Sequence, residues 1–354
     1  MKRKLLGIAA LMTASAIMLT GCGGQTNSGD STDSDLTSIN VSHHPYIHGL
    51  PTSVAFEQGI YEKYGLAPEV TMYAGGPAQN EACATNAWDV GTTGMAGAVL
   101  GCIGYDVKII GASASETATV DIWVRPDSPL ASITGAVEGY PEIKGDADSW
   151  RGKTIICQSA SNCQLVLLGT LEKMGLTLDD VNIIDMAVAQ GFPAFKAGEA
   201  DMVALWSPFG YQAAQEGWVK VSSAEAVGLE FYNVILATDK AIAEMPDAIQ
   251  KWMDAYQEAA DYITAHSDEA GQWLYDFSMD EGITTTLENS QLDIEYRPFP
   301  TAEQQKEMMS GGKMQEMLTT FAAFLRDQGN ITEEDYEKLA SGECIDSTFV
   351  EGMA

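Results

Sequence analysis

Positive charge is what this 354-residue chain has least of. Its 19 Lys and Arg stand against 50 Asp and Glu, a net charge of −31. A nucleic-acid partner is thereby excluded, because phosphate binding rests on Lys and Arg. So is polybasic adhesion to an anionic membrane surface. The excess negative charge serves solubility, and it leaves room for a small anionic ligand, since local dipoles outweigh distant net charge. Apolar runs long enough to span a bilayer are missing too: the longest, residues 5–19, is too short.

Cysteine and histidine are sparse. Beyond Cys22 there are Cys83, Cys102, Cys157, Cys163 and Cys344. An odd number cannot all pair within one chain, and without C-x-x-C elements a structural zinc site is not expected. Cys157 and Cys163 are spaced to bridge one loop in an oxidising compartment. The competing expectation is buried free thiols that pack as small hydrophobes. No G-x-S-x-G, H-E-x-x-H or Walker pattern occurs, so no catalytic residue, cofactor or metal is assigned.

What is present begins at the N-terminus. Met1-Lys2-Arg3-Lys4, the apolar run over 5–19 and a small-residue exit read as a secretory signal peptide, residues 1–21. The exit, Leu19-Thr20-Gly21-Cys22, resembles a bacterial lipobox, which implies that Cys22 is acylated and becomes the mature N-terminus. Loss of Lys2, Arg3 and Lys4 takes the net charge to −34. The following residues, through 38, are rich in Gly, Ser, Thr and Asp and hold almost nothing to bury. They read as a flexible leash. The expected location is the outer face of the cytoplasmic membrane, on the periplasmic or cell-surface side.

Past the leash, short apolar runs alternate with helical patterns. Strands are expected at 39–41, 69–73, 107–112, 122–124, 154–157, 181–185, 202–205 and 233–237. Helices are expected at 53–64, 78–87, 95–103, 162–174 and 192–197. This is the pattern of an α/β protein with parallel-type sheets. The alternation happens twice, giving a first lobe over 39–122, a second over 123–229, and a return to the first lobe with C-terminal helices over 230–354. Those helices, at 247–266, 267–277, 302–328 and 332–340, read as a brace on the first lobe with no chemistry of their own.

Small or hydroxyl residues sit where several helices begin: Gly49-Leu50-Pro51-Thr52-Ser53, Gly75-Gly76-Pro77-Ala78-Gln79-Asn80, Gly91-Thr92-Thr93-Gly94-Met95 and Gln158-Ser159-Ala160-Ser161-Asn162. Such junctions also serve as ordinary caps. Their repetition in both blocks points to a ligand beyond the strand ends, where helix N-termini present unpaired N–H groups to an anion without needing Arg.

Gly59-Ile60-Tyr61-Glu62-Lys63-Tyr64-Gly65-Leu66, Gly75-Gly76-Pro77 and Ala87-Trp88-Asp89-Val90-Gly91 resemble the first lobe of the nitrate/sulfonate/taurine class of ABC-importer solute-binding proteins. Trp150-Arg151-Gly152-Lys153-Thr154-Ile155, Gly175-Leu176-Thr177-Leu178-Asp179-Asp180-Val181, Ala194-Phe195-Lys196-Ala197-Gly198-Glu199-Ala200-Asp201 and Trp206-Ser207-Pro208-Phe209 resemble its second lobe in the same order. The resemblance spans roughly residues 39–350. It implies a two-lobed periplasmic-binding-protein-like fold of type II, which closes on a small organic anion and delivers it to permease subunits served by a cytoplasmic ATPase. A monomer tethered through Cys22 is implied as well. The resemblance places Tyr46 to His48, Gly76, Thr93, Ser161 and Trp206 near that ligand, and Gln79 and Ser159 at the helix-start junctions complete the expected ligand-binding set.

The chain departs from that pattern at Ser42-His43-His44-Pro45-Tyr46-Ile47-His48, where three of its four histidines fall in one loop. Three uses compete: a metal site needing converging neutral imidazoles, hydrogen bonding to an oxyanion or ring ligand, and histidines satisfied by backbone. Phe209 and Tyr211 join Tyr46 and Trp206 as aromatic candidates, and Glu81, Glu116 and Asp121 are candidates for meeting an amine. A pyrimidine-precursor or aromatic ligand is the alternative within the same superfamily. A sensory binding protein that hands its ligand to a receptor is a further alternative that sequence does not separate from import, and an enzyme of the pyrimidine-precursor type acting through His48 stands further off.

Overall fold

A computed structural model describes residues 36–327 and 329–353. The signal peptide, Cys22 and most of the leash lie outside the described residues. Ten strands form two five-stranded sheets. The first sheet, in order β2-β1-β3-β10-β4, holds β1 (Thr37–His43), β2 (Leu66–Met72), β3 (Val90–Thr93), β4 (Val107–Ser115) and β10 (Tyr232–Thr238). The second, in order β7-β6-β8-β5-β9, holds β5 (Val120–Val124), β6 (Thr154–Cys157), β7 (Asn182–Asp185), β8 (Met202–Trp206) and β9 (Val219–Ser223).

Within each sheet the helix-connected strands run parallel, β1 with β2 and β3, and β6 with β7 and β8. The strands that carry the chain between sheets, β5 and β10, pair antiparallel with their neighbours. The chain crosses at residues 116–119 and 224–231. The crossings are bonded to each other: the Phe231 N–H donates to Thr117 Oγ1 at 3.1 Å and the Glu116 N–H to the Phe231 carbonyl at 3.1 Å. Two short strands, β3 and β9, were not expected. Val90-Gly91-Thr92-Thr93 and Val219-Lys220-Val221-Ser222-Ser223 have few apolar residues to signal burial, yet β3 is buried throughout and β9 over its last three residues. Gly91 is needed in β3, because a Cβ there would sit 2.1 Å from the Ser42 carbonyl oxygen of β1.

Helix boundaries follow local chemistry. The pattern over 53–64 splits into Leu50–Glu57 and Ile60–Lys63 because Gly59 adopts a left-handed conformation at φ 65°. The pattern over 302–328 likewise breaks at Gly311-Gly312, with Gly312 at φ 85°. Thr301 and Thr332 begin the helices Ala302–Ser310 and Glu333–Ala340 with capping boxes, satisfying N–H groups that a helix start leaves open.

The long helix Pro246–Ala265 buries Ile249, Trp252, Met253, Tyr256, Ala260 and Ile263 at helical spacing and packs on the helix Leu50–Glu57 of the first lobe. The C-terminal region is more than a first-lobe brace, however. The segment around the helix Leu287–Tyr296 reaches the second-lobe helix Phe209–Gln215. There Gln212 donates to the Thr284 carbonyl, Gln215 to Asn289 and Tyr211 to Asp293. No described helix is long and apolar enough to cross a membrane.

Candidate functional site

Between the two sheets lies a small cavity of about 40 Å3. The first lobe lines it with His44, Tyr46, His48, Gly75, Gly76, Thr93, Gly94 and Gly97, the second with Gln158, Ala160, Ser161, Asn162 and Trp206. Glu116 on the first crossing and Asn233 on β10 complete the wall. The helices Gly76–Cys83, Met95–Gly104 and Asn162–Lys173 all begin here, so their partial positive ends meet at one place. The glycines let the first two helices approach each other closely. A Cβ at Gly97 would lie 2.7 Å from Thr93 Oγ1 and 3.2 Å from the Gly76 Cα.

The histidine loop forms the floor. His43 is fully buried beneath the cavity, its two ring nitrogens on Thr92 Oγ1 at 2.7 Å and Thr52 Oγ1 at 2.5 Å. His48 Nδ1 meets the same Thr92 hydroxyl at 2.7 Å. Alternation along β3 therefore points Thr92 into this network and Thr93 to the opposite face. The tautomer of His44 is fixed by its partner. Gln79 Nε2 donates to Ser42 Oγ and to the Thr92 carbonyl, so Gln79 Oε1 must accept, and His44 Nε2–H donates to it at 3.0 Å.

Burial holds all three rings neutral. It lowers His43 to about 3 and His44 to about 4, and it puts His48 well below the ordinary value. Trp252 and Tyr256, from the helix Pro246–Ala265, stack on His43, and the Tyr256 hydroxyl donates to the His48 carbonyl at 2.7 Å. The C-terminal helix thus props up the site loop.

Two donors in the wall are buried and unsatisfied: Thr93 Oγ1 from the first lobe and Trp206 Nε1 from the second. The Trp206 ring stands edge-on to Tyr46 with centroids 5.8 Å apart. Its N–H lies near enough to the phenol to favour the phenolate slightly, but the pair makes no hydrogen bond of acceptable geometry. Burial dominates, and the Tyr46 hydroxyl is pushed up to about 12.

Behind the wall, Arg297 is buried and makes four hydrogen bonds. It donates to the Ser115 carbonyl, Ser207 Oγ, Glu116 Oε1 and Asn233 Oδ1, and it lies 3.6 Å from Asp293. Glu116 receives Asn162 Nδ2 on its other oxygen, and Asn162 Oδ1 accepts the Ala96 N–H at 3.1 Å. Burial raises Asp293 above the usual carboxylate range, against the pull of Arg297.

This geometry can be matched to known proteins. Residues 47–270 match the family described as NMT1/THI5 like. The chain belongs to that family. A Brachyspira hyodysenteriae protein named as a putative ABC transporter periplasmic binding protein is 29% identical over 324 residues, covering 92% of this chain and 91% of its own. Two solved structures share the fold. The periplasmic aliphatic sulphonate binding protein SsuA of Escherichia coli superposes with TM-score 0.67 at 17% identity, covering 85% of this chain and 91% of that one. The periplasmic nitrate-binding protein NrtA of Synechocystis gives 0.70 at 13% identity, covering 90% and 88%. The type of fold expected from the sequence is the one observed.

Of the residues singled out from the sequence, Tyr46, His48, Gly76, Thr93, Ser161 and Trp206 line the cavity. Gln79 and Ser159 do not. Gln79 is fully buried as a buttress of His44, and the Ser159 N–H is held by Asp185. The Ser161 hydroxyl spends its proton on the Gln158 carbonyl at 2.7 Å. Phe209 packs on Phe192 in the second lobe, Glu81 is exposed, and Asp121 is buried against Lys220. Cys157 and Cys163 are buried free thiols with no disulfide between them. No group of metal-holding side chains occurs among the described residues.

Asn162, Asn233 and Arg297 were missed. Arg297 had one legible signal: it is one of five arginines and sits in the otherwise uncharged run Tyr296-Arg297-Pro298-Phe299-Pro300, an improbable place for a solvated cation.

Proposed function

We propose that this chain is the extracytoplasmic solute-binding component of an ABC importer, which captures a small organic anion of sulfonate type and hands it unchanged to a membrane permease. One observation carries the reading. Thr93 Oγ1 and Trp206 Nε1 enter one cavity from opposite lobes, both buried and both without an acceptor. An indole N–H can only donate, and buried donors are rarely left unpaired, so the missing partner is an acceptor that both lobes share. An oxyanion head group answers that description, and three helix N-termini at the same place favour its charge. The names of the relatives and fold neighbours support the same class of ligand. A lipid tether on Cys22 belongs to this proposal and would keep the protein on the outer membrane face.

A second reading has one observation in its favour. Four rings, His44, Tyr46, His48 and Trp206, line the cavity, and no Lys or Arg does. An aromatic or pyrimidine-precursor ligand would suit such walls. A thermal-shift screen of aliphatic sulfonates, taurine, nitrate, aromatic acids and pyrimidines decides between them. The anion reading expects stabilisation by a sulfonate and a smaller radius of gyration at saturation. A pyrimidine as the sole stabilising class sinks it, and recovery of a chemically altered ligand sinks both.

A further inference from the structure

Among the five described cysteines, all buried free thiols, Cys102 and Cys344 meet. Cys102 is on the helix Met95–Gly104. Cys344 lies in the C-terminal segment that lays a single bridge on the edge of β4, where the Ile109 N–H donates to the Cys344 carbonyl at 2.8 Å and the Asp346 N–H to the Ile109 carbonyl at 2.9 Å. Cys102 Sγ points at that same Cys344 carbonyl from 4.0 Å, and the two thiols interact side chain to side chain. The remaining thiols have other surroundings; Cys83, for one, donates to the Tyr105 carbonyl.

We propose that Cys102 and Cys344 are a disulfide-forming pair that staples the C-terminal segment to the helix whose start lines the cavity. The pair is chemically unequal. Cys344 is held below its ordinary value by the Cys102 thiol and by Lys338, whereas Cys102 is held well above it. Lys338 itself is anchored on the Cys102 carbonyl at 2.8 Å. Cys344 is therefore the attacking thiolate, reached when its loop, exposed just before it at Ser341 and Glu343, opens.

The oxidant is a small disulfide such as oxidised glutathione. The Cys344 thiolate attacks one of its sulfurs, that S–S bond breaks, and one glutathione thiolate leaves. Cys102 then gives up its proton and attacks the Cys344 sulfur of the mixed disulfide, expelling the second glutathione, which takes a proton. Two protein thiols become one disulfide, and one glutathione disulfide becomes two thiols. The pairing is independent of the transport reading, since it needs neither ligand nor permease.

Incubating the purified protein with oxidised glutathione and mapping non-reduced peptides tests it. The expected result is one cross-linked species joining the peptides of Cys102 and Cys344, an intact mass lower by two hydrogens, and a melting temperature several degrees above the reduced form. Cys157→Ser should leave the link intact. Cys344→Ser should abolish both the link and the oxidant-dependent gain in melting temperature, measured against the same variant reduced. A link between other cysteines, a stable glutathione adduct on Cys344, or two thiols that both remain free to alkylation would overturn the proposal.

Discussion

The side-chain carbonyl of Asn162, at the start of a second-lobe helix, accepts the backbone N–H of Ala96 at the start of a first-lobe helix, 3.1 Å away. The same side chain donates to Glu116 on the crossing between lobes. One residue therefore latches both lobes and the hinge. It also fills one of the helix-start N–H positions that an anion would otherwise take.

Asn162→Ala should loosen the closed form. Removing it leaves the Ala96 N–H and one Glu116 oxygen short of a partner, at a cost of about 1–3 kcal/mol for each buried group left unsatisfied. Small-angle scattering should show a larger ligand-free radius of gyration than wild type, together with a lower melting temperature. An unchanged profile would mean that Asn162 does not hold the lobes together.

Arg297→Met should be among the most damaging substitutions in the chain. It strands Glu116 and Asp293, both buried, without their cation, and breaking a buried ion pair costs about 3–5 kcal/mol. Lys63→Ala, which removes the exposed bridge to Glu258, should leave the melting temperature unchanged. Equal effects of the two would refute the buried-network account.

Thr93→Val deletes one orphan donor while keeping shape, and Trp206→Phe deletes the other while keeping an aromatic ring. With a sulfonate ligand, calorimetry should read a loss of about 1.5–3 kcal/mol for each. Gly97→Ala should weaken binding too, because its methyl would press on Thr93 Oγ1 from 2.7 Å. Unaltered affinity in both Thr93→Val and Trp206→Phe would remove the oxyanion from the cavity.

Acid should destabilise the protein well above the carboxylate range. His43 and His44 titrate near 3 and 4 when folded and near 6.5 when unfolded. Between about pH 6.5 and 4 the unfolded chain binds the extra protons, so stability rises with pH there and is lost as pH falls. The slope is about 1.4 kcal/mol per pH unit for each histidine fully inside the window. Asp121 works the other way: burial raises it to about 6, so the folded state holds that proton, and the stability it contributes is lost as pH rises. Two histidines outweigh one aspartate. Melting temperature should therefore fall from pH 6.5 to 4.5, and His44→Gln should flatten the fall; a flat wild-type profile would contradict the neutral assignment.

Sequence alone was enough for the broad pattern of elements, though not for β3, β9 or the helix breaks at Gly59 and Gly312. Period and alternation gave the two α/β blocks, and the short ordered motifs around Gly75-Gly76-Pro77 and Trp206-Ser207-Pro208-Phe209 gave the type of fold. Small residues at helix starts placed Gly76, Thr93 and Ser161, because a helix N-terminus needs such residues wherever it lies. Tertiary structure alone decided which of these face the cavity and which are spent elsewhere. Gln79 went beneath His44 because its amide reaches β1 and β3 together, and the Ser161 hydroxyl turned to its own loop. Arg297 joined the hinge across 181 residues of chain from Glu116. No spacing rule links such positions. Only burial in one place, where an unpaired charge is too costly to keep, brings them together.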